Sequence, residues 1–434
     1  MLKKLELHHV GPVADLTAEF SSRLNVITGD NGLGKSFLLD IAWWSLTRKW
    51  PRDLNKLLTS GEMARPDHNN ASNASIEFTV SALSKDVSYR CKFSNDDQAW
   101  IGKAGRPSNP GLVVYAMADG SFSVWDPARN YWRKKGNLDV QERMPAYVFS
   151  PRDVWDGLVD PDRGLLCNGL IADWASWQKE NGDAFKHLCL VLGKLSPDKS
   201  EPIIPGKFVR ISLDDPRDIP TLKMPYGIDV PVLYASAGMK RVIALAYLLV
   251  WTWQEHVKAS ALLQQAITPQ MVFLIDEVEC HLHPRWQRCI VSALLEVMSA
   301  LSPQANVQAI IATHSPLVMA SIEPRFNVNY DAWFDLDLVT PNAGSSPIVQ
   351  LQKRVFLKLG EASRWLMSDA FDLASARSLE AEALLERAAL VLSAQPIDQA
   401  NAKAVDAELR KLLGDTDPFW ARWRYVGEKQ GWLT

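Results

Sequence analysis

The chain has 434 residues, 47% hydrophobic and 22% charged, with a formal net charge of −3, an ordinary globular balance with room for two or three domains and no global basic field to draw it onto DNA or anionic lipid. Five cysteines without CxxC spacing argue for reduced thiols, and the opening MLKKLELHHVG lacks the apolar core and cleavage site of a signal peptide. The longest apolar run, VIALAYLLVWTW at 242–253, is too short to span a bilayer, so a cytoplasmic protein with no membrane partner is expected.

LKKLELHHV and DLTAEF read as strands joined by a Gly11-Pro12 turn, and RLNVIT as a third, apolar strand. It runs into GDNGLGKS at 29–36. Large apolar residues then recur at helical spacing over 36–49, and Pro51 marks the end. From about 64 to 146 the character changes. Pro, Asn, Ser and Gly cluster at 66–75 and 102–111, among alternating runs such as SIEFTV, VSYRCKF, LVVYAM and SFSVW. These predict a β-rich insertion, after which AYVFS is a return strand. Residues 152–196 turn helical, and 201–234 are Pro-rich and strand-like. From Ser236 helix and strand alternate, as a parallel sheet requires. After Pro324 come NVNYDAWFDLDLV and PIVQLQKRVF, both strand-like, and then helical segments to the end. No repeat of fixed period and no long heptad array is present. The 17 tryptophans are dispersed and are expected to pack cores or a partner surface.

Four segments carry chemistry. GDNGLGKS fits G-x-x-x-x-G-K-[ST] in full. Backbone N–H groups across Gly29, Asp30, Asn31, Gly32, Leu33 and Gly34 are expected to cradle phosphates at a helix N-terminus. Lys35 should reach the β- and γ-phosphates, and the Ser36 hydroxyl should meet Mg²⁺. VFLIDE delivers Asp276 and Glu277 from the carboxyl end of an apolar strand, where open α/β sheets bind ligands; Asp276 is expected to hold the metal and Glu277 to act as general base. QAIIATHSP places His314 after another apolar strand. SAGMKR opens a helix whose N-terminus can face an anion, with Ser236, Gly238 and Lys240 as the binding residues. Between these, ECHLHPRWQ invites a zinc reading, but its spacing fits no common zinc pattern, and a turn ended by Pro284 is favoured.

In this order the four segments resemble the head domain of an ABC-class ATPase of the SMC/RecF/OLD-like kind. The resemblance implies an α/β fold. Residues 1–323 would form the head, built on a parallel sheet around the phosphate loop. It would carry the β-rich insertion at 64–146 and a helical signature lobe with return strands at 152–235. A mostly helical tail would follow at 324–434, where it could dock a partner. It further implies ATP and Mg²⁺ as cofactors and an ATP-dependent homodimer or higher assembly. Ser236 and Gly238 would then face the γ-phosphate held by the second copy, His314 would contact the γ-phosphate, and Glu279 and His283 would lie near the partner's nucleotide. The signature departs from the family pattern at Ala235, Ala237 and Met239. The magnesium-sensing glutamine is also missing, since AYVFS continues as PRDVWDG, with Ser150 or a neighbour in its place.

Size and the segment after the acidic pair look most like compact prokaryotic ATPases of antiphage defence, including those of Septu, retron–Septu and PARIS systems. In OLD-type relatives a nuclease domain follows the ATPase. Here the one D-x-D, Asp335 and Asp337, lacks companions and reads as structural, so an effector such as a nuclease is expected on another polypeptide. The alternative is a RecF-like repair ATPase that binds DNA in an ATP-dependent way, which keeps nucleic acid open as a partner. A non-hydrolysing scaffold is disfavoured by the intact Lys35, Asp276, Glu277 and His314.

Overall fold

Alternation and apolar runs in the sequence become two different kinds of sheet. The computed structural model describes residues 1–433 apart from 12, 68–69, 82–84, 103–107, 132–142, 199, 302–304 and 341–345. Pro12 of the expected turn and parts of the 66–75 and 102–111 clusters lie outside the described residues. The chain divides into two units, Met1–Ala362 and Ser363–Thr434.

In the first unit β1 (Leu2–Val10) and β2 (Val13–Glu19) form an antiparallel hairpin with Leu7 opposite Leu16. β3 (Leu24–Gly29) leaves for a second sheet. β4 (Ser75–Ser81), β5 (Asp86–Ser94) and β6 (Ala99–Ile101) return to the first, giving the antiparallel order β2-β1-β4-β5-β6. β7 (Leu112–Ala116), β8 (Phe122–Trp125) and β9 (Tyr147–Phe149) join β3 in the second sheet. The stretch read as an insertion thus feeds both sheets. The hairpin β10 (Leu158–Asp160) and β11 (Gly164–Cys167) precedes two helices, Gly169–Glu180 and Asp183–Lys194, and a small sheet of β12 (Ile204–Pro205), β13 (Thr221–Lys223) and β14 (Asp229–Pro231) follows them. β15 (Gln270–Ile275), β16 (Asn306–Ala312), β17 (Asp331–Val339) and β18 (Ile348–Arg354) complete the second sheet in the order β18-β17-β3-β16-β15-β7-β8-β9. Its five central strands, β17 to β7, run parallel. Parallel strands covered on both faces read as continuous apolar runs, which is why VFLI and AIIA do not alternate.

The helix Lys35–Thr47 lies between the two sheets. Its Leu38, Ile41, Trp43 and Trp44 share one core with Leu5 and Phe78 of the first sheet and Val113, Leu274 and Ile310 of the second. It stops at Arg48, which adopts a left-handed conformation and lays its guanidinium 3.7 Å from the centre of the Trp44 ring. The helix Ala237–Leu262 buries the whole apolar run 242–253. Tyr247 on it donates to Asp173 at 2.7 Å, tying it to the helix Gly169–Glu180. Among the described residues no helix is long and apolar enough to cross a membrane.

The second unit is a set of helices with a core of its own. Leu379–Ser393, Gln399–Leu412 and Phe419–Gln430 bury Leu384, Val405, Leu409, Trp420, Trp423 and Trp432 together. Trp423 also donates its indole N–H to Asp406 at 2.9 Å.

Candidate nucleotide site at the carboxyl edge of the parallel sheet

β3, β16 and β15 are consecutive parallel neighbours, with Ile311 opposite both Val26 and Ile275. Their carboxyl ends are therefore level, and the phosphate loop, the 313–315 loop and the Asp276–Glu277 pair emerge side by side. Backbone bonds continue the register past the strands: Thr313 N–H to Ile27 O at 3.0 Å, and Asp276 N–H to Ala116 O at 2.9 Å.

Gly29 has φ +132°, and a Cβ there would sit 2.2 Å from the Leu336 carbonyl oxygen of β17, so only glycine fits. Asp30, Asn31 and Gly32 are exposed, Leu33 is buried, and Gly34 leads into the helix. Lys35 donates to the carbonyls of Gly29 and Asp30 at 2.7 and 2.8 Å. Burial lowers its pKa, opposed chiefly by Asp276 and Glu277. The pKa of Asp276 is raised, mainly by burial, against the opposing pull of the nearby Ser36 hydroxyl. Its Oδ1 is buried without a hydrogen-bond partner. A hydroxyl and an unsatisfied carboxylate oxygen side by side suit a hard divalent cation. Glu277 has φ +45°, an uncommon conformation for a non-glycine residue, of the kind found at functional sites.

His314 is half-buried. Burial first, and the Lys35 charge second, lower its pKa, which keeps the imidazole neutral at pH 7. Glu279 turns inward: its carboxylate accepts from the Thr313 hydroxyl at 2.7 Å and from the His314 backbone N–H. Burial raises its pKa. His281 and His283 are exposed, and His283 caps the short helix Pro284–Gln287.

Ser236 caps the helix Ala237–Leu262 by accepting from Met239 N–H at 3.3 Å. Gly238 packs so closely on the neighbouring loop that a Cβ would lie 2.6 Å from His281 O. Lys240 is half-buried in the first turn. Among the described residues no hydrogen bond joins Ser236 or Lys240 to the phosphate loop.

Several residues at this edge escape the motif reading. Arg241 donates to Met117 O at 2.6 Å; burial lowers its pKa against the pull of Cys280, Asp119, Asp276 and Glu277. Asp40 accepts from Tyr115 at 3.0 Å and is pushed up to about 8, by burial and then by Asp276 and Asp119. It lies one helical turn beyond Ser36, a spacing that could have flagged it. Burial raises Asp119, but hydrogen bonds from Ser121, Thr59 and Ser60 outweigh it and leave the pKa below the usual carboxylate value. Ser150, the candidate stand-in for the missing glutamine, is committed to a capping box with Asp153. The loop beside the carboxyl end of β15 comes instead from β7, its parallel neighbour, and carries Asp119. Asp335 is buried and held by Thr28 at 2.9 Å and Arg354 at 3.2 Å.

A family model described as "AAA domain, putative AbiEii toxin, Type IV TA system" (AAA_21) matches residues 24–320. Septu protein PtuA of Bacillus thuringiensis is 21% identical over 73% of this chain and 72% of its own length. Retron Vc95 probable ATPase of Vibrio cholerae serotype O1 biovar El Tor is 32% identical, and Retron Ec83 probable ATPase of Escherichia coli 30%, over 26% and 23% of this chain. Those two stretches span only 20% and 17% of the retron proteins. Among solved structures, the SMC head domain from Thermotoga maritima superposes with a TM-score of 0.39 at 16% identity, covering 82% of this chain and 99% of that one. The family match takes in every motif laid along this edge, from the phosphate loop to His314, and the chain belongs to the AAA_21 family of ATPases.

Proposed function

We propose that this chain is a Mg²⁺-dependent ATP hydrolase that pairs with a second copy around ATP and governs a separate effector, such as a nuclease, in antiphage defence. The observation that carries the enzymatic part is the convergence of Lys35, Ser36, Asp276, Glu277 and His314 at the level carboxyl ends of three adjacent parallel strands. The phosphate loop, the helix N-terminus behind it and Lys35 bind the triphosphate. Ser36 and Asp276 would hold Mg²⁺, which spreads the charge developing on the phosphates. Glu277 takes the proton of the attacking water, and neutral His314 orients that water near the γ-phosphate. Ser236, Gly238 and Lys240 sit at a helix start that serves the ATP of the second copy. The defence role rests on the Septu and retron relatives, and the helical unit Ser363–Thr434, with its own core, is the proposed effector dock.

Glu277→Gln tests the chemistry. It should retain ATP binding, lose turnover by roughly 10²–10⁴-fold and accumulate a closed dimer in gel filtration. Lys35→Ala should weaken binding itself, read by titrating a fluorescent ATP analogue. Wild-type turnover in Glu277→Gln would assign the base to another group.

A further inference from the structure

The turn after Glu277 touches two functional elements at once. On one side Gly238, in the first turn of the signature helix, lies against the His281 carbonyl and Leu282 Cα, positions 2.6 and 3.6 Å from where a Cβ would stand. On the other side Glu279 holds the Thr313 hydroxyl at 2.7 Å and the His314 backbone N–H. Further bonds close the assembly. Leu282 N–H reaches Glu279 O at 2.9 Å. Gln287 donates to Leu282 O at 2.9 Å and accepts from the Ser315 hydroxyl at 2.7 Å. A charge-assisted bond to a backbone N–H is among the stronger orienting contacts, and the turn is fastened at both ends.

We propose that Glu279 is a positioning residue for His314, and that the turn carrying it, wedged between Gly238 and the 313–315 loop, couples the signature helix to the histidine within one chain. A ligand seated on the signature helix displaces His281–Leu282, and the displacement reaches His314 through Glu279. This rests on the ATPase reading above for its consequence in turnover, but the contacts stand without it. A short packed segment is one physical carrier of such coupling, and Glu279–Leu282 supplies it in four residues.

The full chain tests it with four variants and three readouts: turnover, affinity for a fluorescent ATP analogue, and the His314 backbone amide resonance under selective ¹⁵N-histidine labelling. Glu279→Ala should lower kcat by about tenfold or more while the analogue's Kd stays within about twofold, the signature of a lost transition-state arrangement. It should also move the His314 amide upfield. Glu279→Gln keeps an acceptor for that N–H and should restore both readouts, which a general loss of stability would not allow. Thr313→Val removes one of the two bonds and should fall between; it carries the test if Glu279→Ala does not fold. Gly238→Ala should shift the His314 resonance in the parent and not in the Glu279→Ala background. A His314 resonance indifferent to Gly238→Ala overturns the coupling, and wild-type kcat with an unmoved resonance in Glu279→Ala overturns the positioning role. If the parent hydrolyses no ATP, the ATPase reading fails while the resonance comparison still decides this one.

Discussion

At the scale of single residues the site is a crowd of acids with two buried cations. Asp276 and Glu277 act on both Lys35 and Arg241, Asp119 acts on Arg241, and Asp40 feels the charges of Asp276 and Asp119. Asp40 is the group with the clearest pH consequence. Its carboxyl titrates near 3.8 in an unfolded chain and at about 8 in the fold, so the folded state holds the proton more tightly. The associated stabilisation is full below about pH 4 and is lost as pH climbs through 8. Asp40→Asn is neutral throughout and has no such dependence. In Mg²⁺-free buffer the melting temperature of the parent should therefore fall relative to Asp40→Asn between pH 5 and pH 9. Parallel curves would show that Asp40 ionises normally. The motif residues Lys35, Ser36, Asp276, Glu277 and His314 were legible because each follows the carboxyl end of an apolar strand, where open α/β sheets bind ligands; the parallel pairing of β3, β16 and β15 then brings them together. Asp119 was not legible, since it reaches the edge from the loop after β7 by a long-range packing that no local pattern encodes, whereas Asp40, one helical turn beyond Ser36, and Arg241, at the end of SAGMKR, lie beside the motifs and were passed over. Glu279 was expected near the nucleotide of a second copy; within its own chain its carboxylate also satisfies two donors, which its motif did not signal.

At the scale of elements the signature helix Ala237–Leu262 is the piece whose role depends on a second molecule. If Ser236 serves the nucleotide of a partner, Ser236→Arg blocks ATP-dependent dimerisation while leaving the analogue bound by the chain's own phosphate loop. Light scattering with and without ATP separates these. Mixed with Lys35→Ala, it should regain part of the turnover through one intact composite site. Normal dimerisation and normal hydrolysis in Ser236→Arg alone would remove the signature from the mechanism. The elements themselves were largely readable: VFLI and AIIA are continuous apolar runs because they are buried on both faces, and β3 is buried throughout even at Asn25 and Thr28. Their allocation was not. SIEFTV alternates and LVVYAM is a continuous apolar run, yet both were grouped in one β-rich insertion; β4 pairs with β1 in the antiparallel sheet and β7 with β15 in the parallel one. Strand partnership is fixed by contacts far apart in the chain, which a window of neighbouring residues does not contain.

At the scale of the whole molecule the ATPase edge belongs to Met1–Ala362, and Ser363–Thr434 encloses Trp420, Trp423 and Trp432 in a separate core. Truncation to residue 362 should leave ATP turnover within about twofold of the parent and release a co-purified effector, if the helical unit is its dock. Trp423→Ala should cost that unit about 3–5 kcal/mol, enough to lose the effector while the phosphate-loop unit keeps its thermal transition. Purified with ATP and Mg²⁺ or Mn²⁺, the full chain should hydrolyse ATP and leave DNA and RNA intact. Cleavage abolished by Asp335→Ala would place the nuclease here after all, although Asp335 is taken up by Thr28 and Arg354.

The closeness of β17 to the phosphate loop has a consequence for descent. Gly29 is required by the Leu336 carbonyl that lies 2.2 Å from the place of its absent Cβ, a demand of sheet assembly that holds whether or not nucleotide ever binds. Lys35 packs against no neighbouring strand in this way; among the described residues it bonds only carbonyls of its own loop. In a lineage that abandons ATP and keeps the fold, drift should erase the lysine first and spare the glycine, so a surviving Gly29 is a record of architecture, and only Lys35 beside it is a record of use.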